Sequence, residues 1–107
     1  MKAGHLYELS FPYEEGQGSK RRPVLIIVVN TDYDKALGLK VTKTGPTDRH
    51  PNRIEILNSP EANLQQRSFV QIDHYNFFDN VDLKSRGRLS VEDLSEIVQE
   101  FSQYHGL

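Results

Sequence analysis

The chain has 107 residues, 36% of them hydrophobic, a formal net charge of −2 and no cysteine. That length supports one modest core rather than two, and the lack of cysteine excludes disulfide scaffolds, thiolate metal sites and cysteine nucleophiles. The longest strictly apolar run, Val24 to Val29, falls far short of the roughly 20 residues that span a bilayer, and the N-terminal segment lacks a signal peptide's apolar stretch, so a cytoplasmic protein without membrane contact is expected.

His5 to Phe11 alternates loosely and predicts a first strand, closed by Pro12 and by a polar loop from Tyr13 to Ser19 that carries two glycines. Pro23 to Val29 is β-branched and apolar without alternation, the pattern of a strand buried on both faces. After the turn residues Asn30-Thr31-Asp32, a third strand is predicted over Leu37 to Thr42, with Leu37, Leu39 and Val41 on one face and Gly38, Lys40 and Thr42 on a polar one. Thr44 to Asn52 reads as a loop, Arg53 to Leu57 as a fourth strand and Arg67 to Asp73 as a fifth. Five short strands predict a small antiparallel barrel over about residues 4–75 of a single domain that takes in the whole chain. Tyr75-Asn76-Phe77-Phe78 is unusually apolar for a loop and suits an interface or the core equally well. Val91, Leu94, Ile97, Val98 and Phe101 then recur at helical spacing, predicting a helix from about Ser90 to Tyr104. Ser90 is its N-cap, and Glu92 and Asp93 stand where the helix dipole favours negative charge.

His5, His50, His74 and His105 lack metal-site spacing, and Gly16-Gln17-Gly18 precedes a strand instead of a helix, which removes the usual phosphate cradle of a nucleotide cofactor. No metal and no cofactor is expected. The charge is unevenly spread: residues 1–19 carry net −2, residues 20–53 net +5 and residues 54–107 net −5. A basic middle third suits an anionic ligand as well as plain solubility. Metal-free RNA cleavage fits this inventory, because the substrate's own 2′-OH is the nucleophile and the protein supplies proton carriers and cations. Arg22 is held extended by the following Pro23, and its planar fork suits a phosphate. Thr42, at the end of a neighbouring strand, can hydrogen-bond a 2′-OH or a phosphate oxygen. An ordinary role as polar strand ends also fits both residues.

The runs Gly4 to Pro12, Gly16 to Ser19 and Lys20 to Ile27 resemble the opening of the PemK/MazF family of toxins from type II toxin–antitoxin systems. Val41-Thr42, Phe69-Val70-Gln71-Ile72-Asp73 and Gly87-Arg88-Leu89-Ser90-Val91-Glu92-Asp93-Leu94 continue the resemblance over about 100 residues. It implies a mainly β fold, an SH3-like antiparallel barrel with a C-terminal helix, and a homodimer. It further implies metal-independent, sequence-selective cleavage of single-stranded RNA to a 2′,3′-cyclic phosphate and a 5′-OH, and an antitoxin whose acidic tail occupies the RNA groove. Arg22, Thr42 and Asp73 fall on the family's catalytic positions. Gln17, Ser19, Lys20, Arg21, Lys43, Thr44, Arg49, His50 and Gln71 fall along its RNA groove, with Lys40 and Arg53 nearby.

The chain departs from that pattern in three places. Gln71 stands where some members pair an arginine with the later aspartate, Asn76-Phe77 stand where many have Arg-Thr, and His5 replaces a common acidic residue. Arg21, Arg49, His50 or His74 are the candidate stand-ins for the missing cation or acid, His50 first among them. A catalytically weakened RNA- or protein-binding module of the same fold is the alternative, and a gyrase-directed toxin ranks behind both.

Overall fold

Four consecutive apolar residues, Val24 to Ile27, are all buried, and the fold is arranged to cover both of their faces. In the computed structural model, which describes residues 1–107, β1 (His5–Pro12), β2 (Ser19–Asn30) and β3 (Lys35–Thr42) form an antiparallel meander. Leu6 stands opposite Leu25, and Val24 opposite Lys40. Alternate residues of β2 enter two clusters. Leu25 and Ile27 join Leu6, Leu39, Val41, Val70, Ile97 and Phe101, while Val24 and Ile26 join Tyr7, Phe11 and Ala36 on the opposite face. The doubly buried stretch ends two residues sooner than the sequence suggests. A register shift between Ile26 and Val28 turns Val28 outward, where it is 53% exposed.

The remaining strands are short: β4 (Arg53–Glu55), β5 (Phe69–Gln71), β6 (Asn76–Asp79) and β7 (Gly87–Arg88). The sheet order is β4-β5-β3-β2-β1-β7, and β6 pairs with the other half of β3. β3 therefore carries two partners in succession, β6 from Lys35 to Gly38 and β5 at Val41 and Thr42. This curls the antiparallel sheet into an open barrel closed at one side by α1 (Val91–His105). β4 is shorter than Arg53–Leu57 because the chain after Ile56 turns toward Asp93 of α1, and β5 is shorter than Arg67–Asp73 although single backbone bonds, Ile56 to Ser68 and Ile72 to Asn52, extend the pair at each end. β6 and β7 are additions: the Tyr75–Phe78 run contains an edge strand, and Gly87-Arg88 is too short to show any alternation. Gly87 lies so close to the Glu61 and Ala62 backbone, in the 3-10 turn Pro60–Ala62, that no side chain fits there.

Ser90 caps α1, accepting from the Asp93 amide at 3.1 Å, and Gly106 ends it at φ 71°. The apolar stripe is narrower than its spacing implies. Ile97 and Phe101 are buried and Leu94 packs on them, while Val91 and Val98 face solvent. The buried Asp93 does more than complement the helix dipole, since its carboxylate accepts from the Leu57 amide at 3.2 Å, the Asn58 amide at 2.8 Å and the Ser59 hydroxyl at 2.5 Å. It fastens the segment after β4 to the helix. No helix is long and apolar enough to cross a membrane.

Asp93→Ala strips a charged acceptor from two backbone amides and a hydroxyl, a loss expected to cost about 3 kcal/mol. With an m-value of about 1.5 kcal/mol/M, the urea midpoint falls by roughly 2 M. An unchanged midpoint would show that the Asp93 bonds are replaced by solvent at no cost.

Candidate nucleic-acid interface

The candidate site forms where β2 and β3 part. Pro23 has no amide hydrogen to donate, and the β2–β3 pairing begins just after it, at Val24 opposite Lys40. Continued by two residues, that register sets Arg22 across from Thr42. Thr42 stays fixed from its other side by pairing with Phe69 of β5, and Arg22 from its other side by pairing with Leu9 of β1. The gap between them opens as a depression of about 440 Å³ lined by Lys20, Arg21, Arg22, Thr42, Lys43 and Thr44, with Gln65, Gln66 and Ser68 on the far wall. Arg86 at its rim is paired with Glu8, but Lys20, Arg21, Arg22 and Lys43 take part in no ion pair. Four unneutralised cations around the hydroxyl-bearing Thr42, Thr44 and Ser68 make this an anion-attracting surface.

A second depression of about 320 Å³ adjoins it, with Arg22 lining both. Its other cations are Lys40 and Arg49, with His50 beside them, and here the loop between β1 and β2 supplies the counter-charge. Lys40 Nζ lies 3.2 Å from Glu14 Oε1, His50 Nδ1 lies 3.8 Å from Glu14 Oε2, and Arg49 donates to Glu15 at 2.6 Å. Glu14 also accepts from the side-chain amide of Gln71. Burial by itself raises the Glu14 pKa, but the hydrogen bonds from Gln71 and Lys40 and the charges of Lys40 and His50 outweigh it, leaving the carboxyl below its ordinary value.

The structure brings Arg22, Thr42, Lys20, Arg21, Lys43 and Thr44 together and sets Arg49 and His50 in the adjoining depression. Gln71 is fully buried beneath them, donating to Glu14 while its Oε1 accepts from Arg53 Nε at 3.0 Å. Gln17 sits at the loop tip between Gly16 and Gly18, both at positive φ, and Ser19 begins β2. Neither lines either of these two depressions, nor does Asp73, whose Oδ1 is buried without a hydrogen-bond partner in the turn after β5. His74 packs edge-on against Phe11 at 5.6 Å, and His5 bonds Ser85 at 2.8 Å. The contributions that residue patterns did not reveal are those of Glu14 and Glu15. Their only sequence signal is an acidic pair just ahead of two glycines and a basic run. A third depression of about 450 Å³ lies at the α1 N-terminus, where its cation, Arg88, is paired with Glu61 at 2.6 Å.

Because Glu14 ionises more readily in the folded chain than in the unfolded one, its contribution to stability is full above the ordinary glutamate range. It disappears as pH falls through the folded-state value. Glu14→Gln is therefore expected to unfold at lower urea concentration than the wild type at neutral pH, with the two midpoints converging in acid. Unfolding curves recorded across a pH series check this, and a gap independent of pH would contradict it.

The family described as PemK-like, MazF-like toxins of type II toxin–antitoxin systems matches residues 2–105. Among solved structures, the chain is similar to MazF (form I) from Deinococcus radiodurans at 23% identity and TM-score 0.72, covering 100% of this chain and 97% of that one. It is also similar to an endoribonuclease in complex with its cognate antitoxin from a mycobacterial species, at 17% identity and TM-score 0.71, covering 98% and 94%. A MazE–MazF complex (form III) from Deinococcus radiodurans is similar at 21% identity and TM-score 0.69, covering 100% and 97%. At these identities the likeness is one of fold, and no curated protein sequence matches significantly. The family match runs from before β1 to the end of α1, and the chain belongs to the PemK-like, MazF-like toxins of type II toxin–antitoxin systems.

Proposed function

We propose that the chain is a metal-independent endoribonuclease toxin that cleaves single-stranded RNA by attack of the 2′-OH on the adjacent phosphate, leaving a 2′,3′-cyclic phosphate and a 5′-OH. The observation that carries this reading is the depression at the β2–β3 divergence, where Arg22 and Thr42 share one surface with the unpaired Lys20, Arg21 and Lys43. Arg22, its backbone held extended by Pro23, offers two parallel N–H donors to the phosphorane as its charge develops. The Thr42 hydroxyl accepts from the Thr44 amide at 3.3 Å, leaving its proton for a 2′-oxygen or a phosphate oxygen. One proton must leave the 2′-OH and another reach the departing 5′-oxygen. His50 stands in the depression that shares Arg22, and an imidazole has a nitrogen that can accept a proton and another that can donate one, so it serves this reading better than Asp73, which lines neither depression.

The endoribonuclease and MazE–MazF names of its structural relatives support this reading. They also support a cognate antitoxin, for which an acidic tail would compete with RNA for the same cations. Homodimerisation is supported by an outward apolar row. Val28 and Phe77 stand on either side of Leu37, and Tyr75 packs on Phe77 at 5.7 Å. The site of action would be the cytoplasm, where messenger RNA is translated. A second reading, an RNA-binding module without cleavage, draws on the burial of the neutral Gln71 and on the placement of Asp73 outside both depressions.

Purified protein is expected to cut single-stranded RNA in the presence of EDTA, and Arg22→Ala to lose about 100-fold or more of that activity, the usual cost of removing one oriented donor to a developing charge. Undiminished cleavage by Arg22→Ala would overturn its assigned role. Salt-sensitive RNA binding without any cyclic-phosphate product would select the second reading.

A further inference from the structure

The two depressions that meet at Arg22 differ in one respect: the cations of one are open, and those of the other are already matched to carboxylates of the chain itself. Glu14 is bound by an amide donor from Gln71, an ammonium from Lys40 at 3.2 Å and an imidazole nitrogen from His50 at 3.8 Å, and Glu15 by Arg49 at 2.6 Å. One carboxylate held by an ammonium, an imidazole and a neutral N–H donor, with a second beside it on a guanidinium, has the kind of surroundings in which a phosphate is bound.

We propose that Lys40, Arg49 and His50 form a second phosphate-binding subsite beside the one at Arg22 and Thr42, and that Glu14 and Glu15 occupy it as internal surrogates which an RNA strand displaces. This deepens the endoribonuclease reading and rests on it. Because Arg22 lines both depressions, a strand crossing it puts one phosphate on the open side and its neighbour on the occupied side. The geometry also provides for release. The loop from Tyr13 to Gly18 is closed on itself by the bond from the Tyr13 amide to the Gly18 carbonyl at 3.1 Å, and its turn runs through Gly16 and Gly18 at φ of 80° and 100°. Its polar ties to the rest of the barrel are the Glu14 and Glu15 contacts themselves. The Arg49–Glu15 pair is mostly exposed, with side chains 70% and 76% accessible, and pairs of that kind yield readily to a competing anion. The Glu14 carboxyl, held below its ordinary pKa despite burial, shows that the site favours an anion over a neutral acid.

The test compares the double variant Glu14→Gln/Glu15→Gln with the wild type and with Glu92→Gln/Glu96→Gln, which removes equal charge from the exposed face of α1. The probe is a short single-stranded oligoribonucleotide with 2′-O-methyl riboses, which binds but cannot supply the attacking hydroxyl. The loop variant is expected to bind it roughly five- to tenfold more tightly than the α1 variant does, with a steeper salt dependence by about 0.7 for each additional phosphate neutralised. Glu15→Gln alone, at an exposed pair whose loss leaves the Glu14 contacts in place, is expected to show a smaller gain in the same direction. Equal affinities for the loop and α1 variants overturn the proposal, as does a gain seen only with a poly-glutamate peptide. Failure of the cleavage reading would appear separately, as a wild type that binds the probe yet yields no cyclic phosphate from unmodified RNA.

Discussion

The fold and its candidate site both turn on the junction at Pro23. On its C-terminal side the chain is committed to the sheet, because Val24 to Ile27 are buried on alternate faces and must be flanked by strands on both edges and by side chains above and below. On its N-terminal side the missing amide hydrogen removes the donor that would carry the β2–β3 ladder further. The two strands separate there while each stays paired on its outer edge, β2 with β1 and β3 with β5. A cleft formed in this way has rigid walls, so Arg22 and Thr42 are presented by ladder geometry instead of by a mobile loop. The same proline that ends the pairing also restricts Arg22 to an extended backbone.

Net charge conceals the second constraint. Six of the eight basic residues of the middle third gather at the cleft, while Lys35 pairs with Asp79 at the other end of β3 and Arg53 lies beneath the site on Gln71, and the depressions divide the six. Lys20, Arg21, Arg22 and Lys43 remain unmatched, whereas Lys40, Arg49 and His50 face Glu14 and Glu15 from the loop between β1 and β2. Segmental charge counts place these glutamates with the acidic N-terminus, since a count along the chain knows nothing of a loop that folds back. An enzyme that must bind a polyanion yet avoid indiscriminate attraction to every nucleic acid gains from such partial neutralisation, which weakens the field without removing the cations.

Strong periodicity is what made much of this legible from residue order. The doubly buried β2, the alternating β3, the helix from Val91 to His105 and its Ser90 cap follow from local patterns. Arg22 stands out because Pro23 follows it. What escaped such reading was set by distant partners. β7 exists because Gly87 fits against the turn at Glu61 and Ala62, and β6 because the first half of β3 has a free edge for Asn76 to Asp79. Val28 alternates outward because of a bulge that no residue type announces, and Val91 and Val98 fall outside the buried stripe because the barrel covers only part of the helix. Asp93 reads as a dipole residue until the chain at Leu57 to Ser59 is seen bonded to it.

Gln71 shows how one substitution reshapes the ground beneath a site. It lies directly across the β4–β5 ladder from Arg53, and its amide group has both an acceptor and a donor end, so it receives from Arg53 while giving to Glu14. A neutral side chain thus joins a cation and an anion without adding charge of its own. An arginine at position 71, such as the family resemblance suggests, would satisfy Glu14 but would set a fully buried guanidinium against the half-buried one of Arg53. The one positive charge on this rung of the ladder is that of Arg53, and the amide at position 71 links it to Glu14. Glu14 in turn holds Lys40 and faces His50. The identity of a fully buried residue therefore governs which charges the surface above it can present, and the two positions, 53 and 71, are chemically a single choice.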